Sequence, residues 1–435
     1  ARMSRLIGPL KIESLAYGGK GVVRVDGKVL FVTGVLPGDL AICRITKEKK
    51  RYAEAELIEL VEVSKFRRKP PCPVADQCGG CQWQSLNYDD QCHWKENIFR
   101  SSLQRQAGVD ETQILPIVPA PSEWNYRSRV QFKCFHYHGK FLTGFFRQES
   151  HIVVDIDSCP VVAEALNSVF VEIKPRLAES PFAASISQID MELGDNGQVR
   201  VVVHTQGELQ TLAEYCRPLA EKSGFSLFLQ SDRKQKTQHV CGPVDLPIVI
   251  DQPPLQLAYG LGGFAQINLQ QNRNLVDAVL QAAELTGTEK VLDLYCGMGN
   301  FSLPLARRSE QVVAVENFTA SIAKGRKNAA SNGIKNISFE CRPAEGFLSE
   351  IRQDVHYDLV LLDPPRSGAW PVMAELLEHR PQKIIYVSCD PATLTRDLKP
   401  LLKGGYGLVS SRPFDMFPQT YHMESLTALE LLEQY

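Results

Sequence analysis

From residue 254 to residue 435 the chain alternates between short apolar runs and helical patterns, and this rhythm constrains the fold most strongly. Apolar runs such as Lys290–Leu294 and Ile384–Val387 are typical of buried parallel strands, each followed by a helix. Repeated strand–helix units build an open, doubly wound sheet whose ligands lie at the carboxyl ends of the strands. We therefore predict an α/β, Rossmann-like domain with its functional residues directly after the strands.

Two strand ends in this region carry the groups that an adenosyl cofactor needs. Asp293 closes the first strand and is followed by Tyr295-Cys296-Gly297-Met298-Gly299, whose glycines let the backbone approach a ligand. Glu316 closes the second strand, where a carboxylate accepts hydrogen bonds from ribose hydroxyls. The combination favours S-adenosylmethionine. A nicotinamide cofactor is the alternative, although the turn departs from the G-x-G-x-x-G pattern.

A cysteine at a third strand end suggests the reaction. Cys389 precedes Asp390-Pro391, a good helix start, and a helix terminus lowers the pKa of a thiol. A thiolate that adds to carbon-6 of a pyrimidine makes carbon-5 nucleophilic, and a base must then remove the carbon-5 proton. Glu424 is our first choice for this base and His422 the second. The alternatives are a purely structural, buried Cys389 and a solvated Glu424 before an edge strand.

The loop after the fourth strand supports methylation of carbon. It reads Asp363-Pro364-Pro365-Arg366, and Arg366 stands where methyltransferases of exocyclic amines commonly carry an aromatic residue. A base in folded RNA must also leave its stack before it can react. In the FAQIN segment, Gln266 is placed to bind cofactor or base and Phe264 to stack on the extruded base, with burial of Phe264 as the alternative.

Residues 4–63 predict a small β-barrel. Short alternating strands are separated by turn residues, among which Asp26-Gly27 is typical of a hairpin. Five short strands in about 60 residues indicate a compact barrel of the kind that binds oligonucleotides, or a purely structural one. The whole chain has a net charge of −2, but residues 1–70 contain 15 Lys and Arg against 8 Asp and Glu. This end can therefore neutralise phosphates.

Three of the twelve cysteines cluster with the spacing C-x5-C-x2-C: Cys72, Cys78 and Cys81. A closed zinc site or an iron–sulfur cluster requires a fourth thiolate. Cys159 is the best candidate because the proline after it echoes Cys72-Pro73, whereas Cys92 and Cys134 lie in a helical and a strand pattern. Four thiolates fit a [4Fe–4S] cluster or structural zinc, and the three-plus-one arrangement favours the cluster.

The middle of the chain mixes strands and helices with cations and aromatic residues. Arg127, Arg129 and the stretch FKCFHYH suit single-stranded RNA, although a half-exposed sheet has the same composition. We predict three domains: a barrel over 1–64, a central mixed α+β domain carrying the cluster over 65–87 and 117–253, and the methyltransferase domain over 88–116 and 254–435.

Taken together, these motifs resemble the bacterial RNA uracil-5-methyltransferases of the 23S ribosomal RNA type. The resemblance rests on CPVADQCGGC with DSCP, FAQIN, DLYCGMGNF, LLDPPR, YVSCDPATLTRDL and the tail DMFPQTYHMES, and the first segment resembles a TRAM domain, an RNA-binding barrel. It implies Cys389 as nucleophile and Glu424 as proton acceptor. It places six residues around S-adenosylmethionine: Gln266, Tyr295, Gly297, Asn300, Glu316 and Asp363. It makes four thiolates the ligands of a [4Fe–4S] cluster: Cys72, Cys78, Cys81 and Cys159.

The expected activity is methylation of a uridine at carbon-5 in 23S ribosomal RNA through a covalent Cys–uracil adduct. Transfer RNA is the alternative substrate, but the barrel and the cluster cysteines favour ribosomal RNA. A non-catalytic RNA-binding or ribosome-assembly factor is a third hypothesis. No run approaches the roughly 18 apolar residues of a membrane span. We expect a cytoplasmic monomer.

Overall fold

Six strands at the start of the chain form a barrel in the computed structural model, which describes residues 5–233, 236–352 and 354–432. They are β1 (Leu6–Lys11), β2 (Ser14–Leu15), β3 (Gly21–Val25), β4 (Lys28–Thr33), β5 (Leu40–Glu48) and β6 (Tyr52–Glu62). The order β1-β5-β6-β4-β3-β2 puts β1 and β2 at opposite edges, and the continuous chain between them closes the sheet. The sequence predicts five strands; the structure has six, since residues 12 and 13 separate β1 from β2.

The predicted hairpin in the barrel is confirmed. Asp26 and Gly27 connect β3 to β4, and both residues have positive φ angles of 50° and 76°. This is the conformation of the two-residue turn that matches the twist of paired strands.

A helix, α1 (Tyr88–Ser102), follows the barrel and leads through a π-helical turn over Leu103–Ala107 to Gly108, which has a φ of 67°. A short 3₁₀ turn over Glu111–Gln113 follows. Phe99 and Leu103 are fully buried in a cluster with residues of the C-terminal sheet, so this early helix packs on the last part of the chain.

The central region contains a second sheet, covered on one face by two helices. Its strands are β7 (Arg129–Tyr137), β8 (Lys140–Phe146), β9 (Val153–Asp155), β10 (Ile186–Leu193), β11 (Val199–Thr205), β12 (Ser226–Ser231) and β13 (Lys236–Cys241), in the order β13-β12-β11-β10-β7-β8-β9. The helices are α2 (Glu164–Ala178) and α3 (Leu209–Ser223), and a 3₁₀ turn spans Ala183–Ser185. Alternate β7 residues pack inward, while Phe135 and Tyr137 remain exposed on the other face.

The third sheet is the predicted doubly wound sheet, preceded by a hairpin and a helix. In chain order the elements are β14 (Leu246–Ile250), β15 (Leu255–Tyr259), α4 (Leu269–Ala283), β16 (Lys290–Leu294), α5 (Ser302–Ala306), β17 (Gln311–Glu316), α6 (Thr319–Ser331), β18 (Ile337–Cys341), α7 (Phe347–Glu350), β19 (Leu359–Leu362), α8 (Trp370–His379), β20 (Lys383–Ser388), α9 (Pro391–Lys403), β21 (Tyr406–Phe414) and β22 (Glu424–Leu431). The α/β prediction is confirmed; the division of the chain into domains stays a prediction.

The strand order of this sheet is β18-β17-β16-β19-β20-β22-β21, with the first five strands parallel. The final strand, β22, runs antiparallel to both of its neighbours and lies between β20 and β21. The alternative of a solvated Glu424 before an edge strand is therefore wrong. The segment from Glu424 to Leu429 is buried throughout, as an interior strand of a covered sheet must be.

The loop between β21 and β22 is fastened to α1 by a buried ion pair. Lys95 Nζ lies 2.6 Å from Asp415 Oδ1 and donates to the Phe417 carbonyl at 3.0 Å, and both side chains of the pair are fully buried. Gln91 Oε1 accepts from the Gln419 amide at 2.8 Å. Helix α1 therefore fixes the path of the chain as it approaches Glu424.

Among the residues described, no helix combines the length and apolar character needed to cross a lipid bilayer.

Replacing Lys95 by Met should destabilise the fold strongly, because Asp415 would keep a buried charge without its partner. We expect the free energy of unfolding to fall by about 3–5 kcal/mol, measured by urea denaturation. Arg352→Met is the control, since the Arg352–Asp354 pair is exposed and should contribute about 1 kcal/mol or less. Equal effects of the two substitutions would contradict this account.

Candidate active site

Cys389 lies directly after β20, at the carboxyl edge of the sheet. Asp390 caps α9, its Oδ1 accepting from the amides of Ala392 and Thr393 at 2.9 Å each. The predicted strand–loop–helix arrangement is present, and the thiol is partly exposed. Our expectation of a lowered thiol pKa is wrong for the free protein. Burial, and then the nearby carboxylates of Glu424 and Asp363, raise the pKa of Cys389 to about 12.

Glu424 begins β22 at the same end of the sheet. The antiparallel pairing of β20 with β22 ends at Ser388 and Ser425, and Cys389 and Glu424 are the next residues along the two segments. The two side chains are close enough for the charge of Glu424 to raise the pKa of Cys389. Glu424 is only 5% exposed. Burial, followed by repulsion from Asp363, raises the pKa of its carboxyl group well above the usual range, as its apolar neighbours in the sequence predict.

His422, the second candidate for the base, lies in an aromatic cluster. Its ring is 4.1 Å from Tyr421 and 6.0 Å from Phe417, measured between ring centroids. Burial and the nearby cation Arg366 lower the pKa of His422 to about 4, so its imidazole is neutral near pH 7. The carboxylate of Glu424, and not this imidazole, has the larger effect on the pKa of Cys389.

A pocket opens beside these residues, between the loop before α4 and the ends of β16 and β19. It is lined by Ile248, Phe264, Ala265, Gln266, Leu269, Asn272, Tyr295, Cys296, Gly297, Met298, Asn300, Phe301 and Asp363. Five of the six residues predicted to surround the cofactor are therefore brought together. The sixth, Glu316, is adjacent: its Oε2 accepts from the Gly297 amide at 3.2 Å and its Oε1 from the Phe318 amide at 3.0 Å.

The turn after β16 has the geometry of a ligand-binding loop. Tyr295, Gly297 and Gly299 all have positive φ angles, of 66°, 55° and 99°. Left-handed backbone at a residue other than glycine is costly and is concentrated at functional sites. The Tyr295 hydroxyl donates to Glu345 at 2.9 Å, which gives a role to a glutamate for which the sequence indicates none.

Several carboxyl groups crowd this end of the sheet, and burial together with their mutual repulsion raises their pKa values. Burial raises the pKa of Asp293 to about 8, and the Asp293 carboxylate accepts a short hydrogen bond from Ser302. Asp363 reaches the pocket surface but sits deep in the fold, and burial followed by the charge of Glu316 raises its pKa to about 7. A positively charged ligand would be favoured here, because it would compensate these acids.

Sequence reasoning missed Asn272 as a residue of the pocket. Its amide pairs reciprocally with that of Asn300, at 2.8 and 2.9 Å, from the first turn of α4. The sequence offers no signal for this pair, since the two asparagines are far apart along the chain. Phe264, by contrast, is 62% exposed at the pocket, so the alternative of its burial in the core is wrong.

The four predicted ligand cysteines meet in one cavity in the central region. Cys72, Cys78, Cys81 and Cys159 line it, together with Val74, Ala75, Gly80, Gln84, Arg127, Phe145, Ile156, Ser158 and Val161. Cys92 and Cys134 lie elsewhere. Within the ranges that the structure describes, no three or more His, Cys, Asp or Glu side chains are arranged to hold a metal ion. The thiols thus share a cavity without converging on a single point.

The comparisons with known proteins agree with this architecture. Residues 88–431 match the family described as tRNA (Uracil-5-)-methyltransferase. The chain belongs to this RNA methyltransferase family. Residues 7–58 match the TRAM domain, which confirms the assignment of the barrel.

Relatives whose names state an activity align with nearly the whole of this chain. A Shewanella woodyi protein named 23S rRNA (uracil(1939)-C(5))-methyltransferase RlmD is 34% identical, over 97% of this chain and 95% of its own. A Pectobacterium atrosepticum protein of the same name is also 34% identical, over 95% and 92%. The crystal structure of Pyrococcus abyssi tRNA (uracil-54, C5)-methyltransferase in complex with S-adenosyl-L-homocysteine is similar with a TM-score of 0.72 and 26% identity, over 97% and 99% of the two chains. This protein is thus an enzyme, an RNA (uracil-5-)-methyltransferase, and the hypothesis of a non-catalytic factor is set aside.

The electrostatics of Cys389 in the methyltransferase can be tested with a thiol reagent. Because its pKa is about 12, alkylation of Cys389 by iodoacetamide should be slow at pH 7 and rise about tenfold per pH unit. Glu424→Gln removes a negative charge facing the thiolate, so it should lower the pKa of Cys389 and speed alkylation severalfold at pH 9. Mass spectrometry of the Cys389 peptide measures both rates.

Glu430→Gln is the matched control, since Glu430 lies on the same strand at its far end, beside Lys383. An alkylation rate at Cys389 that is independent of pH between 7 and 9 would contradict the raised pKa.

Proposed function

We propose that this enzyme methylates carbon-5 of a specific uridine in 23S ribosomal RNA, with Cys389 as nucleophile and Glu424 as the base. The proposal is carried by one observation: Cys389 directly follows β20, Glu424 begins the neighbouring strand β22 at the same end, and Asp363, which lines the pocket, raises the pKa of both residues. The names of the relatives that share about a third of its residues over almost its full length support the choice of 23S RNA.

In the first step, the Cys389 thiolate adds to carbon-6 of the uracil. A sulfur–carbon bond forms, and the electron pair of the carbon-5–carbon-6 double bond moves onto carbon-5 and the carbonyl oxygen. S-adenosylmethionine, when bound, would supply an electrophilic methyl group: the electron pair on carbon-5 would form the new carbon–carbon bond while the bond between the sulfonium sulfur and the methyl group breaks, leaving neutral S-adenosylhomocysteine. The pocket acids, among them Asp363 and Glu316, suit its positive charge. Gln266, Tyr295, Gly297 and Asn300 are proposed to hold the cofactor with them.

In the second step, Glu424 removes the proton from carbon-5. The electron pair of that carbon–hydrogen bond re-forms the double bond, and the sulfur–carbon bond breaks to release the Cys389 thiolate. A buried carboxylate with a raised pKa is a stronger base than an exposed one, because its ionised form is poorly solvated. We propose that Phe264, which is exposed, stacks on the uracil after this base has left its helix.

Covalent trapping tests the two roles separately. Wild-type protein should form a stable adduct with RNA carrying 5-fluorouridine at the target, because fluorine cannot leave as a proton, and Cys389→Ala should form none. Glu424→Gln should form an adduct with ordinary uridine RNA that decays at least about 100-fold more slowly than turnover. Denaturing gel electrophoresis measures both. Cys341→Ala, at an exposed thiol, should behave as wild type; an adduct in Cys389→Ala would refute the nucleophile.

Transfer RNA is the second candidate substrate, because the matching family and the similar Pyrococcus abyssi enzyme are both named for transfer RNA. Methylation of unmodified 23S and transfer RNA transcripts, measured by transfer of a labelled methyl group, distinguishes the two. We expect labelling of 23S RNA alone. Exclusive labelling of transfer RNA would overturn the substrate assignment and leave the chemistry intact.

We also propose that Cys72, Cys78, Cys81 and Cys159 hold a [4Fe–4S] cluster that supports RNA recognition. Each thiolate of such a cluster binds a different iron, so the sulfurs surround the cavity instead of converging as they do on one zinc ion. The cavity suits an anionic group, since Arg127 Nε is buried there with no hydrogen-bond partner among the described residues. Gly79 lets the loop pass closely, because an added Cβ would meet the Gln148 amide at 2.9 Å.

Metal analysis tests the cluster independently of activity. Protein purified without oxygen should contain about four irons and four acid-labile sulfides per chain. Cys159→Ser should lose most of both, whereas Cys134→Ser, a buried thiol outside the cavity, should retain them. One zinc per chain in place of iron would contradict the proposal.

A further inference from the structure

A turn of the TRAM barrel contacts the loop between β20 and α9, which carries Cys389. It connects β2 to β3 over residues 16–20, and the hydroxyl of Tyr17 donates to the backbone carbonyl of Cys389 at 3.3 Å. The two residues are 372 positions apart along the chain. The contact therefore links the first domain directly to the residue proposed to attack the uracil.

Packing around Tyr17 makes this contact part of a tight interface. Its ring meets Tyr421 edge to face, with the centroids 5.2 Å apart, and lies 6.5 Å from His422. The turn comes so close that a Cβ added to Gly19 would lie 3.2 Å from the Tyr421 ring. Leu15 of the barrel is buried in the same apolar cluster as the C-terminal sheet. The barrel is thus one wall of the active site.

The hydroxyl of Tyr17 is suited to hold a backbone carbonyl. Burial, followed by the charge of Asp390, raises the pKa of this phenol well above its usual value, so it keeps its proton and remains a donor. On either side of Cys389 the loop is fastened within its own chain segment, since the Ser388 hydroxyl accepts from the Asp390 amide at 3.2 Å and Asp390 caps α9. Tyr17, in the TRAM barrel, holds the backbone of Cys389, which lies between these two residues.

We propose that Tyr17 is a positioning residue for methyl transfer, which orients the loop of Cys389 so that its thiol points at carbon-6 of the uracil. The inference rests on the proposed function. A nucleophile contributes fully only when it is held close to its attack geometry, and small displacements are costly in rate. The barrel would therefore act in the covalent step as well as in binding RNA.

Tyr17→Phe tests this role because it removes the hydroxyl and keeps the ring that packs on Tyr421. With saturating RNA and cofactor, the rate of adduct formation on 5-fluorouridine RNA and kcat should both fall about two- to tenfold, the range expected from one hydrogen bond. The Kd for RNA, the KM and the thermal unfolding midpoint should stay close to those of the control.

Tyr406→Phe is the matched control. Tyr406 is a buried tyrosine whose hydroxyl donates to the Pro381 carbonyl at 2.7 Å, just before the opposite end of β20. The Tyr406→Phe substitution removes the same kind of hydrogen bond, from a tyrosine hydroxyl to a backbone carbonyl, and does not affect the loop that carries Cys389. An adduct rate in Tyr17→Phe equal to that of Tyr406→Phe overturns the inference, and so does a loss of activity that follows a loss of RNA affinity alone. Failure of the wild-type protein to form any adduct would overturn the proposed function instead.

Discussion

The buried ion pair between Lys95 and Asp415 connects the parts of the chain that the active site depends on. A charged pair without solvent is held only if its geometry is good and its remaining hydrogen bonds are made. Here Lys95 also donates to the Phe417 carbonyl, although Asp415 Oδ2 is buried without a partner among the described residues. The pair fixes the loop from which β22 begins, and β22 begins with Glu424.

The position of β22 within the sheet explains why the proposed base, Glu424, and the proposed nucleophile, Cys389, lie close together. Because β22 lies between β20 and β21, its first residue faces the end of β20 and not solvent. A parallel strand in the same place would bring its amino end to the opposite edge of the sheet. The antiparallel direction of β22 therefore puts Glu424 beside Cys389, while the parallel strands β16, β17 and β19 bring Asp293, Glu316 and Asp363 to the same edge.

Much of this arrangement could be predicted from local patterns. The positions of Cys389, Glu316 and the Asp26-Gly27 hairpin could be predicted from the patterns that mark strand ends, helix starts and turns. Such patterns depend only on residues that are close in sequence. The thiol pKa was mispredicted because burial of Cys389, followed by the charges of carboxylates that other strands bring close, outweighs the helix terminus. The contacts of Asn272 and Tyr17 could not be predicted for the same reason. Their partners are Asn300 and Cys389, respectively, and only the tertiary fold brings these pairs together.

The length of chain that separates Lys95 from Asp415, 320 residues, affects how the protein can fold during synthesis. At about 5–20 residues per second, α1 leaves the ribosome some tens of seconds before its partner. Through that interval its lysine must stay hydrated, and the apolar side of the helix lacks the sheet that covers it. The amino-terminal barrel can close early, but the catalytic half has to wait until Asp415 and β22 have been translated.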